Sequence, residues 1–431
     1  VTEQPYTMRV FEAFLSCGSV CTDTRSIVPG SVFFALKGAS FNGNTFALQA
    51  LEAGATFAVV DENVGDDERL IKVSDVLTAL QQCALEYRRH LNIPTIGLTG
   101  SNGKTTTKEL FLAVLRTKYA VHATKGNFNN HIGVPLTILN APKETEILIV
   151  EMGANHQKEI GELASITEPT LGYITNYGKA HLDGFGGVEG IIKGKSELYD
   201  FIAQTAEGIA LVNADDAIQL EKSTACRRTT FGKTKAQFTY ASAEKDEFAG
   251  IQFSTAAASY TIQSNLSGSF NCTNLAAAVA VGRHFDVPAL SIVQALNDYV
   301  PTMNRVEWRK TASNRVLLDA YNANPTSMSL SIENFAKWHK DGWLVLGDMF
   351  ELGKESAIEH QAIVELVQRT NMKERCILVG KHFGSTSWQG LQFATTRELE
   401  TYWIENGAPK DAAILLKGSR GIALEQLLPL L

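Results

Sequence analysis

The hydrophobic pattern of the chain is one of short apolar runs, rich in β-branched residues, separated by longer stretches whose apolar positions recur every three or four residues. That alternation predicts strands and helices in βαβ order, and hence parallel sheets covered by helices. Residues 1–91 read as a small α/β unit, with helices over 10–15, 47–53 and 73–91 and strands over 31–38 and 56–60. The last of these helices carries Val76, Leu77, Leu80, Ala84 and Tyr87 at helical spacing. Residues 92–304 open on a strand at 94–98, followed by strands at 120–123, 147–150 and 171–175 and a helix at 188–202. From 208 to 260 the runs shorten into strands (GIALVN, RTTFG, FTYA, IQFS, ASYTIQ); an Ala-rich helix within 266–285 and another over 288–300 follow. Residues 305–431 repeat the β-α-β order, with strands RVLLDAY, WLVLGD, CILVG and AILLKG and helices over 326–338, 356–369 and 398–406. The expected fold class is α/β in three domains, with bounds 1–91, 92–304 and 305–431. A central parallel mononucleotide-binding sheet would be flanked by a small N-terminal α/β domain and a Rossmann-like C-terminal one. No G-x-G-x-x-G follows a strand of the last unit, so a dinucleotide is not expected there.

The sharpest local feature begins where the strand at 94–98 ends. Gly100-Ser101-Asn102-Gly103 forms a glycine-punctuated turn; Lys104, Thr105 and Thr106 follow, and then Leu110, Phe111, Val114 and Leu115 at helical spacing. Strand, glycine-rich turn, Lys-Thr and helix is a layout that cradles a nucleoside triphosphate. Backbone N–H groups point at the phosphates and the helix N-terminus adds partial positive charge. Lys104 would reach the β- and γ-phosphates, and the Thr105 hydroxyl would ligate Mg²⁺. The usual P-loop spacing would place glycine at Leu98, whereas the nearest glycines here are Gly97 and Gly100. A tight turn before an ordinary helix is the competing reading.

Further polar residues fall at the carboxyl ends of buried strands, where ligands bind in doubly wound sheets. Glu151 ends one strand, and a carboxylate there suits a metal better than an apolar core. His181 lies past the next strand in a parallel position. Lys193 and Lys195 sit on the helix that follows, where two lysines ordinarily mark a solvated face. The segment 124–135 is dense in amides, with Asn127, Asn129 and Asn130, and reads either as a polar loop or as a substrate loop. In the last unit the strand ends carry Asp319, Tyr321, Asn322, Asn324, Asp348, Glu351, Lys417, Ser419 and Arg420. Near the N-terminus, Thr24 and Arg25 are either part of a surface turn or donors to phosphate or a carbonyl.

Composition narrows the class. The 431 residues are 45% hydrophobic and 20% charged, ordinary for a globular protein. A net charge of −7 disfavours a nucleic-acid binder, which usually shows a basic face. The six cysteines are scattered without a CxxC pair, which points to reduced thiols rather than a disulfide or zinc framework. No apolar run approaches a membrane span and the first residues are polar, so a cytoplasmic enzyme is expected.

TGSNGKTTTKEL resembles the ATP-binding signature of the Mur ligases, ADP-forming amide-bond ligases of peptidoglycan precursor synthesis, whose spacing matches Gly100, Gly103, Lys104 and Thr105. GNFNNHIGVPLTIL, VEMGANHQKEIGEL, DAYNANPTSM, LGDMFELG, LLKGSR and DTRSIVPGSVFFALKG are similar to the subgroup that adds D-alanyl-D-alanine. The resemblance implies an ATP-dependent ligase acting on UDP-MurNAc-tripeptide and D-Ala-D-Ala through an acyl phosphate, without nucleic acid or membrane span, and monomeric. It implies that Gly100, Ser101, Asn102, Gly103, Lys104, Thr105 and Thr106 hold ATP. Asn271 and Asn274 would contact adenine, and Arg305 and Asp319 would reach phosphate and ribose. Thr105, Glu151, His181 and a carbamylated Lys195 would serve two Mg²⁺ sites, with Lys193 the rival for the carbamate; Lys104, Lys195, His181 and Arg305 would be catalytic. Tyr321, Asn322, Asn324, Lys417, Ser419 and Arg420 would shape the dipeptide side. Thr24, Arg25, Asn127, Asn129 and Asn130 would touch the UDP-sugar-peptide. PTMNRVEW stands where the family has Pro-Gly-Arg, a local departure around Arg305. Alternatives are a ligase adding a single amino acid, as on folate, and a P-loop protein that binds ATP without ligating.

Overall fold

The computed structural model describes residues 4–301 and 305–431, with side chains from residue 8 onward. Residues 302–304, within the PTMNRVEW departure, lie outside the described residues. Three sheets are built in sequence, each from its own stretch of chain.

The first has four parallel strands, in the order Val20–Cys21, Val32–Phe34, Phe57–Val60 and Leu70–Lys72. The outer two strands have no counterpart in the sequence pattern, and two further details differ from it. The apolar run 31–38 is not one strand: residues 31–36 are buried, but 37–40 are exposed, and Lys37–Gly38 pairs instead with Phe41–Asn42 in a small ribbon. The helix expected from residue 73 starts at Val76, after a strand, because Asp75 accepts from the Thr78 N–H at 2.7 Å as an N-cap.

The second sheet has nine strands in the order Ser259–Ser267, Phe248–Ser254, Phe238–Ser242, Arg227–Gly232, Ile209–Asn213, Leu171–Ile174, Thr95–Thr99, Ile147–Glu151 and Val121–Ala123. It is parallel from Val121–Ala123 as far as Phe238–Ser242, then antiparallel to the edge. Thr95–Thr99 is buried at every position, as suits a strand covered by helices on both faces. It lies between the strands that end in Glu151 and before Thr175. The crossover after Thr95–Thr99 leads one way across the sheet and that after Ile147–Glu151 leads the other. A crevice opens at such a switch point. The helix Asn271–His284 packs its alanines, all nearly inaccessible, against the nucleotide-loop helix Lys104–Leu115; at Gly282 an added Cβ would fall 2.6 Å from a Val114 methyl.

The third sheet runs Glu307–Lys310, Arg315–Asp319, Ala413–Lys417, Trp343–Gly347, Cys376–Val379 and Gln392–Phe393. All of its pairs are parallel except the first, which is antiparallel. Both edge strands are absent from the sequence pattern: one is half-exposed and charged, the other only two residues long. No helix among the described residues is long and apolar enough to cross a membrane.

Candidate nucleotide and substrate site

A cavity of about 680 Å³ lies where the carboxyl ends of the second and third sheets face each other. Ser101 to Thr106 form one wall. Their backbone is stapled to the neighbouring strand end. The Ser101 N–H donates to the Asn176 carbonyl at 3.0 Å, and the Asn102 N–H to the Asn176 side-chain oxygen at 3.2 Å. The Thr175 hydroxyl donates to the Asn102 carbonyl at 2.6 Å. The glycines follow from this closeness. A Cβ on Gly100, at φ +142°, would fall 1.9 Å from the Thr175 hydroxyl. Gly103, at φ +77°, precedes the first residue of helix Lys104–Leu115 in a left-handed conformation that favours glycine. Gly97 faces Met152 and Pro169 within the sheet and is not part of the turn. The displaced glycine of the sequence pattern is thus Gly100.

The Lys104 ammonium turns back onto its own loop, donating to the Gly100 carbonyl at 2.7 Å. Desolvation holds its pKa below the ordinary lysine value; Glu151 opposes that shift and Arg305 reinforces it. Thr105 is buried at the helix start. Glu151 is 2% exposed; its Oε1 accepts from the Asn129 side chain at 2.9 Å, while its Oε2 is buried without a hydrogen-bond partner. A buried, half-satisfied carboxylate facing a phosphate loop suits a cation shared with phosphate oxygens. No group of three or more His, Cys, Asp or Glu among the described residues forms a complete protein cage. Magnesium often keeps waters and substrate phosphates as ligands, so the two residues Thr105 and Glu151 fit it.

His181 also lines the cavity, at φ +55°, but its Nδ1 contacts the Glu351 carboxylate of the last unit. That contact, with its hydrogen bond, holds Glu351 below the usual carboxylate range. His181 can meet a cation through Nδ1 only after this contact opens. Lys193 is exposed, whereas Lys195 is 1% exposed with its ammonium 5.0 Å from the Phe185 ring centroid. Burial pushes Lys195 well below its ordinary pKa, and the charge of Lys104 adds to this against Glu159. Lys195 does not line the cavity, although both of those charges do.

Against Gly103 of the same loop, Asn271 and Asn274 project from the start of helix Asn271–His284, joined by a hydrogen bond of 2.8 Å. Arg305 lies with its guanidinium 3.8 Å from the Tyr321 ring centroid and its Nε buried without a partner. Asp319 and Lys417 are partners on adjacent strands, and the Ser331 hydroxyl also donates to Asp319 at 3.0 Å. The Asn324 side chain donates to the Asn102 side chain at 2.7 Å, so the last unit touches the nucleotide loop directly. Asn127, Asn129, Asn130, Tyr321 and Asn322 complete the expected residues found on the lining.

Other expected residues are not brought there. Thr24 and Arg25 do not line the cavity; Arg25 is exposed and pairs with Asp23 at 2.6 Å. Ser419 is buried and accepts from the Phe350 N–H at 3.0 Å. Arg420 is exposed, 5.7 Å from the Tyr321 centroid. Asp348 points away into its own unit, accepting from the His382 and Phe383 N–H groups at 2.9 Å. Thr175, Asn176 and Lys179, at and after the end of the strand Leu171–Ile174, carry no sign of these contacts in the sequence. Lys179 donates to Glu359 of the last unit at 2.5 Å, a link that only the docking of the two units reveals.

Comparison with known proteins agrees with this geometry. Residues 98–282 match the Mur ligase middle domain, 304–420 the Mur ligase glutamate ligase domain and 18–88 the Mur ligase family catalytic domain. The chain is 35% identical over 424 residues to the UDP-N-acetylmuramoyl-tripeptide--D-alanyl-D-alanine ligase of Bacillus subtilis, covering 95% of this chain and 92% of that one. A crystal structure of MurF from Acinetobacter baumannii superposes with a TM-score of 0.87 at 30% identity, covering 98% of this chain and 97% of that one. MurF ligase of Thermotoga maritima in complex with ADP superposes at 0.84, with 26% identity and 97% coverage of both chains. The chain therefore belongs to the Mur ligase family.

Proposed function

We propose that this chain joins D-alanyl-D-alanine to UDP-MurNAc-tripeptide at the expense of ATP, forming UDP-MurNAc-pentapeptide, ADP and phosphate. The observation that carries the reading is one cavity that meets a phosphate loop, an under-coordinated buried carboxylate and an arginine from the last unit. The relatives named for this reaction match nearly the whole chain. In the proposed division, residues 1–91 bind the UDP-sugar, 92–304 bind ATP and 305–431 bring the dipeptide side and close on the nucleotide. The setting is the cytoplasm, and the working unit is a monomer.

The terminal carboxylate of the tripeptide attacks the γ-phosphorus, the bond to the β-phosphate oxygen breaks, and ADP leaves. The amine of D-Ala-D-Ala then adds to the acyl carbon, loses a proton, and phosphate departs as the amide forms. Loop N–H groups of 100–106 hold the phosphates. The Lys104 ammonium exchanges the Gly100 carbonyl for phosphate oxygens and balances charge as it moves between them. Arg305, positioned on Tyr321, meets the same charge from the other side. Asn271 and Asn274 offer amides to adenine, and Asp319 meets the ribose from the last unit. Asn127, Asn129 and Asn130, with Thr24 and Arg25 in the first unit, face the UDP-sugar-peptide. Tyr321, Asn322, Asn324 and Lys417 frame the dipeptide, with Ser419 behind them holding the Phe350 N–H and Arg420 at the outer side of Tyr321. Magnesium, held by Thr105 and Glu151 and by His181 once Glu351 releases it, would supply Lewis-acid stabilisation.

Lys195 is assigned a carbamate. Its burial favours the neutral amine, which would add CO₂ and release a proton, turning a cation into an oxygen ligand. Solvated Lys193 has no such environment. In ¹³C-bicarbonate, a carbamate carbon signal is expected that survives Lys193→Ala and vanishes in Lys195→Ala; its persistence in the latter would remove the assignment.

The acceptor assay tests the function as a whole. ADP release with UDP-MurNAc-tripeptide is expected to depend on D-Ala-D-Ala and not on single amino acids. Turnover only with a single amino acid would replace this reading by a different ligase. ATP binding without acceptor-dependent turnover would point to a nucleotide-binding protein.

A further inference from the structure

We propose that Lys108 is a positioning residue that ties the nucleotide helix to the loop at 124–130, and so holds that loop for the UDP-bearing substrate; this rests on the ligase reading above. Lys108 is fully buried, on the apolar side of helix Lys104–Leu115, one turn after Lys104. Lysine is almost never found so deep unless it is paired. Its ammonium donates to the Thr124 carbonyl at 2.6 Å and lies 2.7 Å from a Glu109 carboxylate oxygen.

Thr124 is an unusually constrained residue. Its N–H donates to the Ile149 carbonyl at 3.0 Å, and its hydroxyl accepts from the Glu151 N–H at 3.0 Å. Its carbonyl is the group that Lys108 holds. Immediately afterwards residues 125–128 are exposed. The loop is fixed again at Asn129, whose carbonyl accepts from the Gly153 N–H at 2.7 Å and whose side chain donates to Glu151. The loop therefore hangs between two anchors, both adjoining Glu151, and Lys108 is the tie from the nucleotide helix to the first. A hydrocarbon side chain would fill this space without burying a charge, so packing alone does not call for lysine. A cation directed at one carbonyl fixes direction as well as distance.

The test compares wild type, Lys108→Met and Lys108→Arg. In Lys108→Met, amide exchange at 125–130 is expected to quicken about tenfold while the flanking strands keep their protection. KM for UDP-MurNAc-tripeptide is expected to rise about tenfold, with KM for ATP and Kd for ADP within about twofold. Lys108→Arg, which keeps a donor, recovers part of both changes. Unchanged exchange and unchanged KM in Lys108→Met would overturn the proposal, as would an equal loss for ATP and the UDP substrate. Should Lys108→Met not fold, the same readings are taken on Lys108→Gln; failure of both to fold assigns a structural role and overturns it too. The exchange measurement needs no turnover. A wild type that fails to ligate sinks the ligase reading, whereas a ligating wild type with an unperturbed variant sinks this inference alone.

Discussion

Lys104→Met is expected to lower the rate of ligation by on the order of 10³-fold while leaving the protein at least as stable as wild type. The two halves of that expectation come from the same geometry. The ammonium donates to the Gly100 carbonyl and desolvation depresses its pKa, so folding gains little from its charge. Methionine fills similar volume without a half-buried charge to desolvate, so little stability is lost with the ammonium. In the transition state the position changes. Negative charge shifts from the γ-phosphoryl oxygens to ADP, and the loop N–H groups alone cannot follow it. Steady-state ADP release and a thermal melt on the same sample check both halves. A rate within about tenfold of wild type would mean that Lys104 is not the main charge partner of the phosphoryl group.

Glu151→Gln is expected to cost about 10²- to 10³-fold in rate at fixed magnesium, and to raise the magnesium concentration needed for half-maximal rate. The substitution preserves shape. The retained amide oxygen can still accept from Asn129, and the backbone N–H still reaches Thr124. What disappears is the negative charge at the buried Oε2, the atom with no partner in the protein. An unpartnered buried charge costs more than an unpartnered neutral amide in the same place, so the melting temperature should be unchanged or higher. A magnesium titration of ADP release is the check. An unchanged magnesium dependence alongside a reduced rate would assign Glu151 to loop positioning through Asn129 rather than to the cation.

The residues whose placement is legible in the sequence are those set by local backbone chemistry. Gly100, Gly103, Lys104 and Thr105 belong to one turn, and a turn's glycine, lysine and hydroxyl are spaced by the chain itself. Glu151 was legible because a carboxylate ending a buried strand has few places to go. Most helices and strands followed from apolar spacing for the same reason. The half-exposed edge strand Glu307–Lys310 has no such signal, and its pairing is set by the strand beside it. The His181–Glu351, Lys179–Glu359 and Asn102–Asn324 contacts each join residues more than 150 positions apart. No periodicity encodes them, because they depend on how two separately folded sheets face each other. Lys108 is the instructive omission. It shares its helix side with Phe111 and Leu115, at +3 and +7, and a lysine on an apolar stripe is a readable sign of a buried, directed charge.

In this cavity ATP activates a peptide carboxylate, which passes to D-alanyl-D-alanine. UDP-MurNAc-tripeptide labelled with ¹⁸O in its terminal carboxylate, incubated with ATP, magnesium and D-Ala-D-Ala, tests it in one mass-spectrometric measurement. UDP-MurNAc-pentapeptide is the expected product, with one ¹⁸O carried into the released phosphate for each amide bond formed. Pentapeptide formed with no label in the phosphate, or ATP hydrolysed with no pentapeptide, would contradict it.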